Sequence, residues 1–157
     1  MNLSFYIFFV FSISLNFFFG KSLVKFVGMK LTLGKIERLK SRKLIEKLFA
    51  DGKSIKKFPL RMVFLQTSHT STFPIQVGFS VPKRNFKRAV DRNRLKRVLR
   101  ETYRLQKEIV YSNLEKQYVC MISYIGKEEI PFEELFSKMT ILLQLLLKET
   151  TNTDEKQ

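Results

Sequence analysis

The chain has 157 residues, enough for one domain with a modest core and too few for two comfortable ones. Its composition, 45% hydrophobic and 27% charged, is that of a folded protein rather than a disordered basic tail. The formal net charge of +15 calls for a polyanionic partner, and the single cysteine, Cys120, excludes an internal disulfide and reads as a core residue in a reducing compartment.

Met1 to Phe19 contains no charge, and Lys21 is the first cation. The stretch is apolar like a membrane span or a signal segment, yet it lacks the preceding cations and the small-residue cleavage site of a signal peptide. Residues 1–28 are therefore set aside as a hydrophobic extension. It is read as a stretch upstream of a start at Met29 or as disordered, with a short membrane anchor as the alternative. No stable membrane partner is expected, and the domain is taken as residues 29–148, with a frayed tail at 149–157.

From Arg38 to Ala50 the apolar residues Leu39, Leu44, Ile45, Leu48 and Phe49 recur at helical spacing, with Ser41 placed to cap the start and Asp51-Gly52 to stop the end. Residues 54–66 then alternate and predict one strand, with Pro59 near its beginning or on an edge. A polar loop at 67–72 leads to a second alternating stretch at 73–81, and the two strands are expected to pair antiparallel. Residues 82–87 turn the chain into a long helix from about Arg88 to Val110, whose buried seam is Leu95, Val98, Leu99, Thr102, Leu105 and Ile109. A third strand spans Gln117 to Ile125, and Pro131 opens a last helix that carries a leucine-rich face through Leu147. The order helix, strand, strand, helix, strand, helix predicts a small single-domain α+β sandwich.

Catalytic constellations are hard to assemble from these residues. His69 is the only histidine and lies in a polar loop, which removes histidine-based metal sites and Ser-His-Asp triads. The acid pairs Glu128-Glu129 and Glu133-Glu134 fall just before and within the first turn of a helix, where they complement its dipole. The basic stretch is different. Between Ser80 and Lys107 stand eleven cations, Lys83, Arg84, Lys87, Arg88, Arg92, Arg94, Lys96, Arg97, Arg100, Arg104 and Lys107, against two acids, Asp91 and Glu101. Partner acids at i+4 are nearly missing, so the face is not self-sufficient, and its arginines suit bidentate phosphate contacts. A nucleic acid is the polyanion expected here. A second surface is the sheet beside the first helix, where Phe49, Phe58, Met62, Phe64 and Phe79 supply either core or faces for unstacked bases.

Val77-Gly-Phe-Ser-Val-Pro-Lys-Arg84, followed by Ala89-Val-Asp-Arg-Asn-Arg-Leu-Lys-Arg97 and Arg100-Glu101, resembles the bacterial ribonuclease P protein component. The segment Arg38 to Ser54 is similar to that family's first helix, so the resemblance covers most of Met29 to Leu147. It implies a cytoplasmic protein that binds a catalytic RNA subunit and precursor tRNA, and promotes endonucleolytic removal of the 5′ leader. Mg²⁺ would be held mainly by the RNA, with no catalytic residue in the protein. The motif implies that Arg92, Asn93, Arg94, Lys96, Arg97 and Arg100 grip the RNA, with Lys83, Arg84 and Arg88 beside them. It also implies a leader-binding cleft built from Ile45, Phe49, Arg61 and Phe64, and a left-handed βαβ crossover against the usual right-handed rule. Ile45 stands where the family often has an aromatic, and the turn Asn85-Phe-Lys-Arg88 is longer than its usual form and lacks its glycine. The competing reading is a non-catalytic basic module that binds ribosomal RNA or DNA.

Overall fold

The computed structural model describes residues 32–154; the apolar extension at 1–28 and residues 155–157 lie outside them. Helix α1 (Arg42–Asp51) starts where the Leu44 N–H donates to the Ser41 hydroxyl at 3.5 Å, the expected cap. It stops at Gly52, whose N–H donates to Leu48 O at 3.0 Å. A Cβ at position 52 would lie 2.2 Å from that carbonyl and 2.8 Å from Val63 Cγ1, so glycine alone lets the helix end approach the sheet this closely.

The stretch expected to be one strand is a hairpin. Strand β1 (Lys53–Lys57) and strand β2 (Leu60–Gln66) pair antiparallel around a turn at Phe58 and Pro59, whose peptide bond is cis. Proline has no N–H to give to a ladder, which suits it to the turn and not to mid-strand. Lysines at 53, 56 and 57 line β1, which pairs only with β2, and their charge protects this edge from pairing with other chains.

Strand β3 (Ile75–Ser80) is followed by helix α2 (Ala89–Arg104), the single-turn helix α3 (Glu108–Tyr111), strand β4 (Tyr118–Tyr124) and helix α4 (Phe132–Asp154). The sheet order is β1-β2-β4-β3, with β4 antiparallel to β2 and parallel to β3. The antiparallel pair expected between the strands flanking the polar loop is thus not made, because β4 lies between them. Its sequence Tyr-Val-Cys-Met-Ile-Ser-Tyr is buried almost throughout, as an unbroken apolar run in a central strand should be. The edge of β3 is covered by the chain before α1, where Val77 N–H donates to Glu37 O at 2.9 Å and Leu39 N–H to Val77 O at 3.0 Å.

Alternation along the strands sends side chains to two cores. Leu60, Met62, Phe64, Ile75, Val77, Cys120 and Ile122 pack with Leu95, Leu99 and Tyr103 of α2 and with Leu135, Met139, Leu142, Leu143 and Leu146 of α4. On the opposite face, Val63, Val119 and Met121 pack with Leu48 of α1 and with Leu39, and Leu44, Ile45 and Leu65 border them. The result is an α+β sandwich with helices on both faces of one sheet. Helix α4 continues to Asp154, into the tail expected at 149–157. Among the described residues no helix is long and apolar enough to cross a membrane.

The long basic helix ends earlier than its periodicity suggests. Its last turn tightens as Gln106 N–H donates to Tyr103 O at 2.9 Å, and the Gln106 side chain donates to Thr102 O and Phe136 O, both at 3.1 Å. Thr140 on α4 donates to the same amide's oxygen. Gln106 thereby satisfies a terminal carbonyl of α2 and fastens it to α4. Leu105, expected in the seam, is 41% exposed at this bend, while Tyr103 is fully buried and stacks edge-on against Phe79 with ring centroids 5.7 Å apart. Lys107, counted with the surface cations, is swung inward and buried.

Candidate nucleic-acid interface

Helix α2 presents its charge as a stripe. With Leu95, Leu99, Thr102 and Tyr103 buried, the 3.6-residue period puts Asn93, Arg97, Arg100 and Arg104 along the opposite side. Arg94 and Lys96 flank this row on either side. Lys83, Arg84, Lys96, Arg97 and Arg100 make no hydrogen bond or ion pair with any described residue; Lys83, Arg84 and Arg97 are exposed, and Lys96 and Arg100 are half-buried. Arg104 is held by Glu101 at 2.5 Å, and the same contact draws the Glu101 carboxyl below its ordinary range. Arg88 reaches Asp91 at 3.9 Å, a loose surface pair.

Two motif arginines are engaged within the fold. Arg92 Nη1 donates to Phe86 O at 3.0 Å and Lys87 O at 2.6 Å, which closes the turn before the helix. Asn85 fixes the same turn from the other side by donating to Ile125 O at 2.9 Å and Gly126 O at 3.0 Å, and Phe86 meets the Tyr124 ring edge-on with centroids 5.9 Å apart. The turn is thus held by side chains. Arg94 Nη2 donates to Glu129 Oε2, and this hydrogen bond and charge raise the guanidinium's already high pKa.

The second surface lies between α1 and the sheet. Ile45 is half-buried at its edge, and Phe49 is 59% exposed on the same helix. Arg61 is exposed, with its Nε donating to Ser54 Oγ at 3.0 Å. Phe64 does not join them. It follows Val63 by one position and so points to the opposite face, 4% exposed in the core beneath α2 and α4. Met62 is buried there too and Phe79 packs against Tyr103, so of the five aromatic and thioether candidates only Phe49 and Phe58 remain open.

Strand register adds residues that the sequence reading did not assign to this cleft. Lys56 faces Arg61, Arg61 faces Ser123, and Ser123 faces Ser80, a polar row across all four strands on the face that α1 covers elsewhere. The two serine hydroxyls are 3.5 Å apart. Ser80 leads through Pro82 directly into Lys83 and Arg84, so the row and the basic turn are continuous. Gly78 keeps the floor low beside this row, since a Cβ there would meet Met121 Cε at 2.7 Å. Only the register could have found Lys56 and Ser123, because neither strand pairing nor face is written in local alternation alone.

Cys120 is fully buried, and desolvation pushes its thiol far above the usual range, which suits a core residue. Among the described residues no group of three or more His, Cys, Asp or Glu side chains is placed to hold a metal ion.

Arg84, Arg97 and Arg100, without a partner among the described residues, beside a polar row of the sheet, define a small basic α+β protein of the nucleic-acid-binding class. The Ribonuclease P family profile matches residues 33–146, and the chain belongs to this family, whose members are RNA-binding proteins of tRNA processing. The chain is 37% identical over 102 residues to the ribonuclease P protein component of Porphyromonas gingivalis, covering 63% of this chain and 74% of that one. It is 35% identical over 114 residues to that of Syntrophus aciditrophicus, covering 73% and 90%. The fold is similar to the RNase P protein from Thermotoga maritima, with a TM-score of 0.56, 25% identity and 68% and 94% of the two chains covered. It is also similar in fold to the Staphylococcus aureus RNase P protein, with a TM-score of 0.55, 19% identity and 70% and 94% covered.

Proposed function

We propose that this chain is the protein subunit of a cytoplasmic ribonuclease P, binding a catalytic RNA and the 5′ leader of precursor tRNA to promote endonucleolytic maturation of the tRNA 5′ end. One observation carries the reading: Lys83, Arg84, Lys96, Arg97 and Arg100 have no partner among the described residues, on a turn and helix that continue from the polar strand row of Lys56, Arg61, Ser123 and Ser80. The helix stripe suits the phosphates of a folded RNA. The groove suits one single strand, with cations at one end, hydroxyl donors in the middle, and Ile45 and the exposed ring of Phe49 as an apolar wall for unstacked bases.

In this reading the protein supplies position and counter-charge, and the hydrolysis belongs to the RNA and to the Mg²⁺ that the RNA holds. The protein's cations lower the repulsion between two polyanions, so less Mg²⁺ is needed to bring them together. The test combines the protein with the catalytic RNA of the same organism and a precursor tRNA at low Mg²⁺. Faster leader removal than with RNA alone is expected. Equal rates with and without protein across the Mg²⁺ series would overturn the proposal and favour a non-catalytic RNA- or DNA-binding module.

A further inference from the structure

Residues 125–130, between β4 and α4, place the acid Glu129 against the basic helix α2. This segment is firmly held. Asn85 donates to the carbonyls of Ile125 and Gly126 at 2.9 and 3.0 Å, and the Tyr124 hydroxyl donates to Glu128 O at 2.6 Å. Ile125 N–H donates to Pro59 O at 2.8 Å, and a Cβ at Gly126 would come within 3.0 Å of both Tyr124 and Pro59. Glu129 is therefore presented from a fixed backbone. Its side chain is 27% exposed, and its Oε2 accepts from Nη2 of Arg94, whose side chain is 66% exposed.

The other acid contacts on this helix, Arg88 with Asp91 and Arg104 with Glu101, are made within or next to α2 itself. Glu129 reaches the α2 residue Arg94 from another element. To a guanidinium, a carboxylate and a phosphate look alike: each offers a pair of anionic oxygens.

We propose that Glu129 is a specificity-determining residue: its carboxylate stands in for an RNA phosphate at Arg94, and an RNA must present a rigidly placed phosphate there to displace it. The inference rests on the RNA-binding function proposed above. Loose polyanions bind in proportion to the cations available to them, so masking Arg94 weakens them. A folded RNA whose phosphate is already positioned recovers the contact at little ordering cost.

The test measures binding of the full chain, Glu129→Gln, Arg94→Ala and the double variant to the catalytic RNA and to an unrelated, unstructured single-stranded RNA over a salt series. Glu129→Gln should tighten the unstructured RNA by about two- to fivefold, steepen its log-log salt slope by about 0.7, and tighten the catalytic RNA less. Both changes should vanish in the Arg94→Ala background. Glu115→Gln, the same charge change at an exposed site near the far end of β4, should leave the ratio of the two affinities as it was. Unchanged or weaker binding by Glu129→Gln, equal tightening of both RNAs, or an effect that survives in Arg94→Ala would overturn the assignment. A parent chain that binds neither RNA would instead sink the functional reading, and that result is read before any variant is compared.

Discussion

Lys107 and Glu37, 70 residues apart, form an ion pair with side chains only 5% and 3% exposed. Glu37 also accepts from the Tyr111 hydroxyl at 2.8 Å and from the Gly34 N–H, while Lys107 donates to Thr32 O at 2.7 Å and lies 5.1 Å from the Tyr111 ring centroid. The pair ties residues 32–37 to the chain just beyond α2. A lysine that counts toward the basic surface by sequence is therefore part of the scaffold.

Breaking that pair is expected to cost more than its formation contributes, because the remaining charge stays buried alone. Lys107→Met should lower stability by about 3 kcal/mol or more in urea unfolding. Combining it with Glu37→Leu should recover part of the loss. RNA affinity measured where both variants are folded should stay at the parent's value, unlike the effect of removing a surface cation.

Phe49 and Phe64 should separate binding from folding. Phe64→Ala opens a cavity in the larger core and should cost about 3 to 5 kcal/mol of stability. Phe49→Ala removes a ring that is 59% exposed, so stability should change by less than about 1 kcal/mol. Affinity for a precursor with a single-stranded leader should fall by about 1 to 3 kcal/mol, and affinity for leaderless tRNA should not. An equal loss with both substrates would remove Phe49 from the cleft.

The arginines of α2 should divide in the same way. Arg97→Ala and Arg100→Ala should each flatten the log-log salt slope of RNA binding by about 0.7 to 0.9 with the melting temperature unchanged. Arg92→Ala should also lower stability by about 1 to 2 kcal/mol, since it removes the Nη1 group that donates to both the Phe86 and Lys87 carbonyls and closes the turn. Calorimetry beside a salt titration distinguishes the two classes.

Alkaline pH should unfold the protein. Burial raises the pKa of Cys120 above its usual 9.0, and burial first among several causes raises Tyr103 and Tyr111 above their usual 10.0. Groups whose pKa is raised in the fold contribute stability that is complete below the unfolded value and lost as pH climbs toward the folded one. Stability should therefore begin to fall from about pH 9 upward. Urea midpoints over that range check this, and a thiol reagent at pH 8 should label Cys120 only as fast as the protein opens.

Several features were legible in local sequence. Ser41 and Gly52 bound the first helix as read, the apolar run at 118–124 became the buried strand, and the stripe opposite Leu95 and Leu99 carries the cations. Each depends on neighbours within a turn or two, where periodicity and capping chemistry act directly. The hairpin at Pro59 was missed because two short strands of matching alternation read as one long one.

What the sequence by itself determined is the chemistry of the surface: how many cations, their concentration on one helix, and the polyanion they require. Which of those cations are available was decided only by tertiary structure. The bend at Gln106 buries Lys107, the loop after β4 brings Glu129 to Arg94, and the register of four strands aligns Lys56, Arg61, Ser123 and Ser80 while turning Phe64 away. The physical reason is the same in each case. Pairings between residues tens of positions apart leave no local period, and a strand's two faces become distinct only when helices pack on them.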